Sequence, residues 1–546
     1  MIIHGKSGSL DTLLQKGGSK MKSKIVFATV LVVLVAAIGY SQLIISHESG
    51  FYESPFQVEI KSTVGGRIYY TMDGTDPAVG NQGTIEYKRA IPIVERYDNT
   101  LIYIPTSPLY WKTPEGEFKK ATVLKIVEVV NGKVTDSVVR TYFVGIHHDL
   151  PVVSIITDPS NLFDEEKGIY VPGKVFDPTN PEWSGNYHQR GSDWERKAIM
   201  EYFENGKLVY RTEVGLRIHG EYTRNFPIKS LRLYARNKEG EFTYPFFGRK
   251  GYKKLILRNS GNDWESTYIR DSAVQEIFKG LNFDTQDNYP VVHYINGEYW
   301  GINYLMEYYD QRYLQVKHGV NEKNTVIING DLSIQDGKEG DQESFVRLAK
   351  FVRDNDLSKP ENYSYVANMI DIDSYIDYKI AEIIAANMDW PGNNERMWRV
   401  LKPEDKPFGD GKWRWMMYDM DLSLWEPTHN TLKVAMYGDP SVWVTVTVGE
   451  TSTLLFRKLL ENEEFRKRFL ERFEYILNVV FDENRVVKII DEHADRIKAE
   501  IALHSRRWGK PEIDNWESEI EWMKKFARER KDYIREYLNE IFRIGK

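Results

Sequence analysis

The chain has 546 residues, 41% hydrophobic and 13% aromatic, with a formal net charge of −7 and no cysteine. That length exceeds one compact domain, and that composition excludes disorder over most of the chain. The charge gives no basic surface for nucleic acid, and the missing cysteine excludes disulfides, thiolate chemistry and Cys-based zinc sites.

Residues 1–24 are polar and end in a basic flank of Lys20, Lys22 and Lys24. IVFATVLVVLVAAIGY follows over residues 25–40 without a charge, and an apolar tail continues to Ile45. This pattern predicts a secretory signal peptide, or a membrane anchor over residues 25–45 with its basic end in the cytoplasm. Met21 offers an alternative start. The rest of the chain is expected outside the cytoplasm, secreted or tethered.

Residues 46–146 predict a β-sandwich, because short alternating runs such as FQVEI, RIYYTM and LKIVEVV are separated by GG, DGTDP and NG turns. The phrase GGRIYYTMDGTDP, residues 65–77, resembles the small β domain at the C-terminus of chitobiases and hexosaminidases. The resemblance implies an accessory domain with a carbohydrate partner. His147 and His148 sit at the domain junction with no further spaced ligand, which favours a linker over a metal site.

From residue 150 the pattern is strands with one helix. VGLRIHG, IKSLRLYAR and KKLILRN alternate, and residues 266–281 have apolar positions at helical spacing behind a Ser266 cap. Asn296-Gly297 between two alternating runs predicts a tight hairpin. From residue 340 helices dominate. The first strong one spans residues 371–387, capped by Asp371, with Ile372, Tyr375, Ile376, Ile380, Ile383 and Ile384 on one face. KWRWMMYDMD, residues 412–421, interrupts as a strand, and residues 452–542 are amphipathic helix. A β-rich half followed by a helical half, with a cleft between, is the expected organisation.

Three places invite chemistry. Strand period puts Lys229 on the apolar side with Leu231, Leu233 and Ala235, where an ammonium is costly unless an anion meets it. Two readings stay open: an ammonium aimed at phosphate, or a strand-end lysine reaching outward. Asp389 and Asn394 have the D-x-x-x-x-N spacing of a catalytic loop in which the acid accepts a hydroxyl proton and the amide holds magnesium; a plain turn is the alternative. Asp419 and Asp421 share one side of an extended strand. At ~6–7 Å and an effective dielectric of ~20 their repulsion is roughly 2–3 kcal/mol, which a divalent cation removes. An EF-hand is excluded, because Leu424 and Asn430 stand where Gly and Glu are required. In place of a glycine-rich loop stands HGEYTRNFP, residues 219–227, whose Arg224 has the fork to hold phosphate.

NLFDEEKGIYVPG, LRIHGEYTRNFPIKSLRLYAR, INGEYWGINYLMEYYD, NMDWPGNNERMW and WRWMMYDMDLS together resemble the CotH kinases over residues 150–546. The resemblance implies a multidomain chain: an N-terminal all-β sandwich, then an α+β bilobal protein-kinase-like domain with a β-rich N-lobe and a helical C-lobe. It implies ATP and Mg2+ or Mn2+, and transfer of the γ-phosphoryl to Ser or Thr of a secreted, surface or coat protein. By position, Lys229 and Arg224 would meet the nucleotide phosphates, with Glu276 as the partner of Lys229 and Glu307 near adenine or ribose. Asp389 would be the base, and Asn394 with Asp419 or Asp421 would hold the metal. Two other readings remain: a non-catalytic surface adhesin or carbohydrate-binding protein on the same scaffold, and a glycoside hydrolase using Asp389 and Asp419.

Overall fold

The computed structural model describes residues 43–438 and 450–543. The expected signal or anchor falls outside them, except for Leu43–Ile45, which form a strand paired with Ile60–Ser62 and so belong to the β domain. No helix of the described residues is long and apolar enough to cross a membrane.

The N-terminal region is β-rich. Arg67–Thr71, Thr122–Val130 and Lys133–Val144 form an antiparallel sheet, extended by a parallel pairing with Gly50–Tyr52. Two small ribbons pack on it across a core that includes Val58, Ile60, Ile68, Ile93, Leu124 and Ile126. The expected turns are present: Asp73 Oδ1 accepts from the Thr75 amide at 3.0 Å, and Asn131-Gly132 takes positive φ at both residues, as a two-residue hairpin loop requires.

The strands that follow are β1 (Val152–Ile156), β2 (Arg196–Glu204), β3 (Lys207–Ile218), β4 (Leu231–Ala235), β5 (Lys254–Arg258), β6 (Asn288–Ile295) and β7 (Glu298–Glu307). They do not remain an open sheet. They run in the order β2–β1–β6–β7–β5–β4–β3, and β3 pairs back onto β2, closing a barrel. Strand alternation sorts its side chains. Leu231, Leu233, Leu255, Leu257 and Leu305 enter the main core, while Arg232, Ile256 and Met306, in register with one another, take the opposite phase together with Arg258. That second face meets the helical half.

Helix α1 (Arg270–Ile277) is shorter than its sequence pattern. Asp263 captures the amides of Thr267 and Arg270, at 3.1 and 3.0 Å, which holds residues 261–269 in tight turns. Ser266 donates to Glu519 at 2.8 Å and caps nothing. In the helical half, α2 (Ile372–Ala385) is capped by Asp371, which accepts from the Ser374 amide at 3.1 Å. Almost every residue of α2 is buried, so it is the central helix of its half rather than a one-faced surface helix. Beside it lies a four-stranded sheet of Thr325–Asn329, Ile334–Asp336, Arg396–Val400 and Arg414–Met416. Two long helices, α3 (Glu483–Trp508) and α4 (Ile513–Phe542), close the chain.

α3 also ties the parts together: His504 Nδ1 accepts from the Ile302 amide at 2.9 Å, and Trp508 donates to the Trp300 carbonyl at 2.7 Å. The β domain is joined to the barrel at the Asn296-Gly297 hairpin. A Cβ at Gly297 would stand 2.2 Å from the Ala121 carbonyl oxygen, so only glycine allows this approach. Next to it, fully buried Glu298 accepts from the amides of Thr100, Leu101 and Ile102 at 2.8–3.0 Å and pairs with Lys120 at 3.0 Å. Glu298→Ala leaves these donors and an ammonium without a partner. It should lower stability to chemical denaturation by about 3–5 kcal/mol, and Glu298→Gln should lower it by less.

Candidate functional site

Arg258, the last residue of β5, is buried and lies between three carboxylates. Its Nε faces Asp271 at 3.0 Å, and its Nη2 meets Asp421 at 3.1 Å and, in a close pair, Asp419. The carboxylates arrive from two elements. Asp271 comes from the first turn of α1, where it also accepts from the Met420 amide at 3.0 Å. Asp419 and Asp421 come from the segment after the Arg414–Met416 strand. The chain leaves extended geometry there, with Asp419 at φ +60°. The two acids therefore converge through a turn rather than through strand alternation. Arg270 holds the segment by the carbonyls of Ser423 and Leu424, both at 2.9 Å. Gly261 is required beside it, since a Cβ there would fall 1.8 Å from Asp421 Oδ2.

The loop after α2 brings the fourth acid. Met388 donates to the Leu422 carbonyl at 3.1 Å and Leu424 to the Ala385 carbonyl at 2.8 Å, which laces the loop to the Asp419 segment. Asp389 Oδ2 accepts from Asn394 at 2.8 Å and Asn393 at 3.0 Å, while Oδ1 is buried without a partner. Asp389 is only 6% exposed. Burial, and then the charge of Asp419, raise its pKa to about 7. Behind it, Asn387 donates to Glu382 at 3.0 Å, and Lys379 pairs with Glu395 at 3.1 Å beneath Trp390.

Three acids thus surround one guanidinium, and Asp389 adds a fourth carboxylate beside Asp419. Burial and then Asp419 hold Asp421 well above the ordinary carboxylate range, and burial raises Asp271. Burial alone would lower Arg258, but Asp419, Asp271 and Asp421 outweigh it and hold its proton well above the usual value. The negative surplus is relieved by protons when no other cation is present. Asp421 is sealed, whereas the Asp419 side chain is 25% exposed and is the acid open to a ligand.

A cationic wall adjoins the acids. Arg232, on the same face as Arg258, stacks on Tyr308 at 4.2 Å, and Arg396 stacks on Tyr418 at 3.3 Å. Arg232 Nη2 donates to His219 Nδ1 at 2.8 Å. Burial, then Arg232 and Arg258, hold His219 neutral, so its proton is on Nε2. His219 Nε2, Arg232 Nε and Arg396 Nη1 are buried donors without a partner. Three unsatisfied donors beside a carboxylate cluster are suited to an oxyanion.

The structure brings together Asp389, Asn394, Asp419 and Asp421, and separates the other expected residues from them. Lys229 obeys its strand phase and points into the apolar side. Its ammonium donates to the carbonyls of Arg224 and Phe226, at 2.7 and 2.8 Å, and lies 3.8 Å from the Tyr187 ring centre. Backbone carbonyls replace the expected anion. Arg224 is spent on the carbonyls of Gly220, Tyr187 and Ile218 at 2.6–2.9 Å. Glu276 is exposed beside Lys279 at 3.5 Å. It lies five residues beyond Asp271, about 140° around the helix, on the far face of α1. Glu307, in register with Leu255, turns to the core side, where it contacts Tyr252, Lys317 at 3.3 Å and the Asp287 amide at 2.8 Å.

Sequence reasoning missed Arg258, Arg232, His219, Arg396 and Asp271. The signal present was the second phase of IKSLRLYAR and KKLILRN, which places Arg232 and Arg258 on one face opposite Lys229.

Among the described residues, no three His, Asp or Glu side chains are gathered as a metal cage. The open Asp419 suits a hard cation that takes one or two carboxylates and draws its other oxygens from phosphate.

Residues 216–534, more than half of the chain, match the family model described as CotH kinase protein. Residues 58–142 match the model described as Fn3 associated, which is compatible with the N-terminal β region. No curated protein matches the chain.

Two stability predictions follow from the charges. Asp389 has a raised folded-state pKa, so the stability of its protonated form is complete below the ordinary carboxylate value and is lost as pH rises to about 7. Without divalent cation, Asp389→Asn should therefore stabilise the protein by roughly 2–4 kcal/mol at pH 8 and by little at pH 4, read as thermal unfolding across that range. Arg258→Met strands Asp271, Asp419 and Asp421, and should cost about 3–5 kcal/mol at pH 8 and less at pH 5.

Proposed function

The chain belongs to the CotH kinase family, and we propose from that membership and from the cluster around Arg258 that it transfers the γ-phosphoryl of ATP to a Ser or Thr hydroxyl of an exported or surface protein. The observation that carries the reading is the juxtaposition of a surplus of carboxylates with three buried, unpaired donors on His219, Arg232 and Arg396. That pairing of signs suits a phosphate ester and its counter-cation. The meeting of a barrel face with a helical half at this cluster supports the kinase-like division into two lobes that the family name suggests.

In this reading His219 Nε2, Arg232 and Arg396 donate to phosphate oxygens and orient the chain of phosphates. Asp419 and Asn394 would hold a divalent cation, Mg2+ or Mn2+, which would supply positive charge beside the transferring group. Asp389 Oδ1 accepts the proton of the attacking hydroxyl as its oxygen bonds to the γ-phosphorus and the bond to the leaving ADP oxygen breaks. Asn393 and Asn394 hold Asp389 by its other oxygen, which fixes the free one. Arg258 and Asp271 keep Asp419 and Asp421 in place. Residues 25–40, without a charge and preceded by a basic flank, support export or tethering.

Purified protein incubated with γ-labelled ATP and Mg2+ or Mn2+ should label itself or a Ser/Thr-rich acceptor. Asp389→Asn and Asp419→Asn should each reduce labelling at least 100-fold, and Lys229→Met should reduce it only as far as it unfolds the protein. Labelling of Asp389→Asn equal to the parent would overturn the reading.

A further inference from the structure

Away from this cluster, two cavities of about 380 and 370 Å3 adjoin on the outer side of the barrel and share Phe247 and Arg496. The first is polar, lined by Arg249, Glu276, Lys279, Asp287, Asn288 and His493. The second is aromatic, floored by Tyr244, Phe246, Phe247 and Tyr289. Phe247 holds φ +54°, a left-handed conformation costly for a bulky side chain. Its ring remains half-buried between the two cavities and packs on Tyr252 and Tyr289. Arg496 makes no hydrogen bond or ion pair that the described residues supply.

The neighbours of His493 fix its protonation. The Asn288 amide nitrogen donates to the Gln286 carbonyl at 3.0 Å, which fixes Asn288 Oδ1 as an acceptor. The Ser272 hydroxyl gives its one proton to that oxygen. His493 Nδ1, 3.1 Å from Ser272 Oγ, must therefore be the donor in that contact. Burial, then the charge of Arg496, push the His493 pKa down to about 3, so the ring is neutral and Nε2 carries a lone pair. That Nε2 is buried with no partner. The cavity thus presents a buried acceptor that needs a hydroxyl-type donor, ringed by the donors Arg249, Lys279 and Arg496 and the acceptors Glu276 and Asp287. Alternating donors and acceptors beside an aromatic floor match a ligand with many hydroxyls and an apolar ring face.

We propose that the two cavities form one saccharide-binding groove, in which a sugar ring lies on Phe247 and Tyr289 and a hydroxyl of the sugar donates to His493 Nε2. The groove is distinct from the Arg258 cluster: Glu276 and Asp271 leave opposite faces of α1. It serves to hold the protein on a glycan while the other site acts, and it does not depend on the reaction proposed above.

The test is calorimetric titration of the full chain with cellotetraose, chitotetraose, maltotetraose and tetragalacturonate, with a Gly-Asp-Ser-Glu tetrapeptide as the peptide control. At least one saccharide should bind with a Kd of about 10 µM–1 mM. Phe247→Gly, which relieves the left-handed strain and so keeps the fold, and Arg496→Ala, at an exposed position, should each weaken it at least tenfold. Phosphoryl transfer by Arg496→Ala should equal that of the parent. Binding by none of the four, binding by the tetrapeptide alone, or binding unchanged in both variants would overturn the proposal. Loss of transfer in Asp389→Asn with glycan binding intact would separate the two sites.

Discussion

One buried guanidinium organises this molecule. Arg258 stands at the end of a barrel strand, where the sheet face meets the helical half, and three carboxylates from two other elements close on it. A buried arginine without such partners would be severely destabilising, and so would the acids without it. The helical half is therefore held to the barrel by charge as well as by its apolar core. The carboxylates still outnumber the guanidinium, and the excess is carried as raised proton affinity on Asp389, Asp271 and Asp421. A site built this way is strained in electrostatic terms, and a bound cation would relieve that strain.

The wall formed by His219, Arg232 and Arg396 complements that excess. Three of its donors, His219 Nε2, Arg232 Nε and Arg396 Nη1, are buried but unsatisfied, a costly arrangement in a finished core and a common one where a ligand completes the hydrogen bonding. Tyr308 and Tyr418 support the two arginines by stacking, which fixes the guanidinium planes without consuming their N–H groups. The same economy is seen in Asp389, which gives one carboxylate oxygen to Asn393 and Asn394 and keeps the other unpaired.

Much of this was legible in the sequence, for identifiable reasons. The Asp371 cap, the Asn296-Gly297 hairpin and the Asp73 turn are local, so residue chemistry and spacing were enough. The nearness of Asp389 to Asn394 was legible in their D-x-x-x-x-N spacing, and that of Asp419 to Asp421 in two carboxylates placed at the end of an apolar strand. Lys229 drew suspicion on the apolar side of its strand, but its partners are the carbonyls of Arg224 and Phe226, and backbone acceptors leave no trace in residue identity. Arg258 was passed over because an arginine at a strand end reads as a solvated tip. Only the pairing of β4, β5 and β7 shows that tip to be covered. The barrel closure was equally hidden, since β2 and β3 form a hairpin that any open sheet also contains, and α1 looked longer than it is because Asp263 takes its first amides.

The seam at Glu298 has a mechanical consequence. A single carboxylate grips three successive amides of the 100–102 segment while Gly297 brings the hairpin tip against Ala121. Such a joint resists both hinging and sliding, so the N-terminal β region cannot swing on a tether. It and the barrel behave as the two fixed jaws of a calliper. Whatever the first jaw touches is kept at a constant span from Arg258.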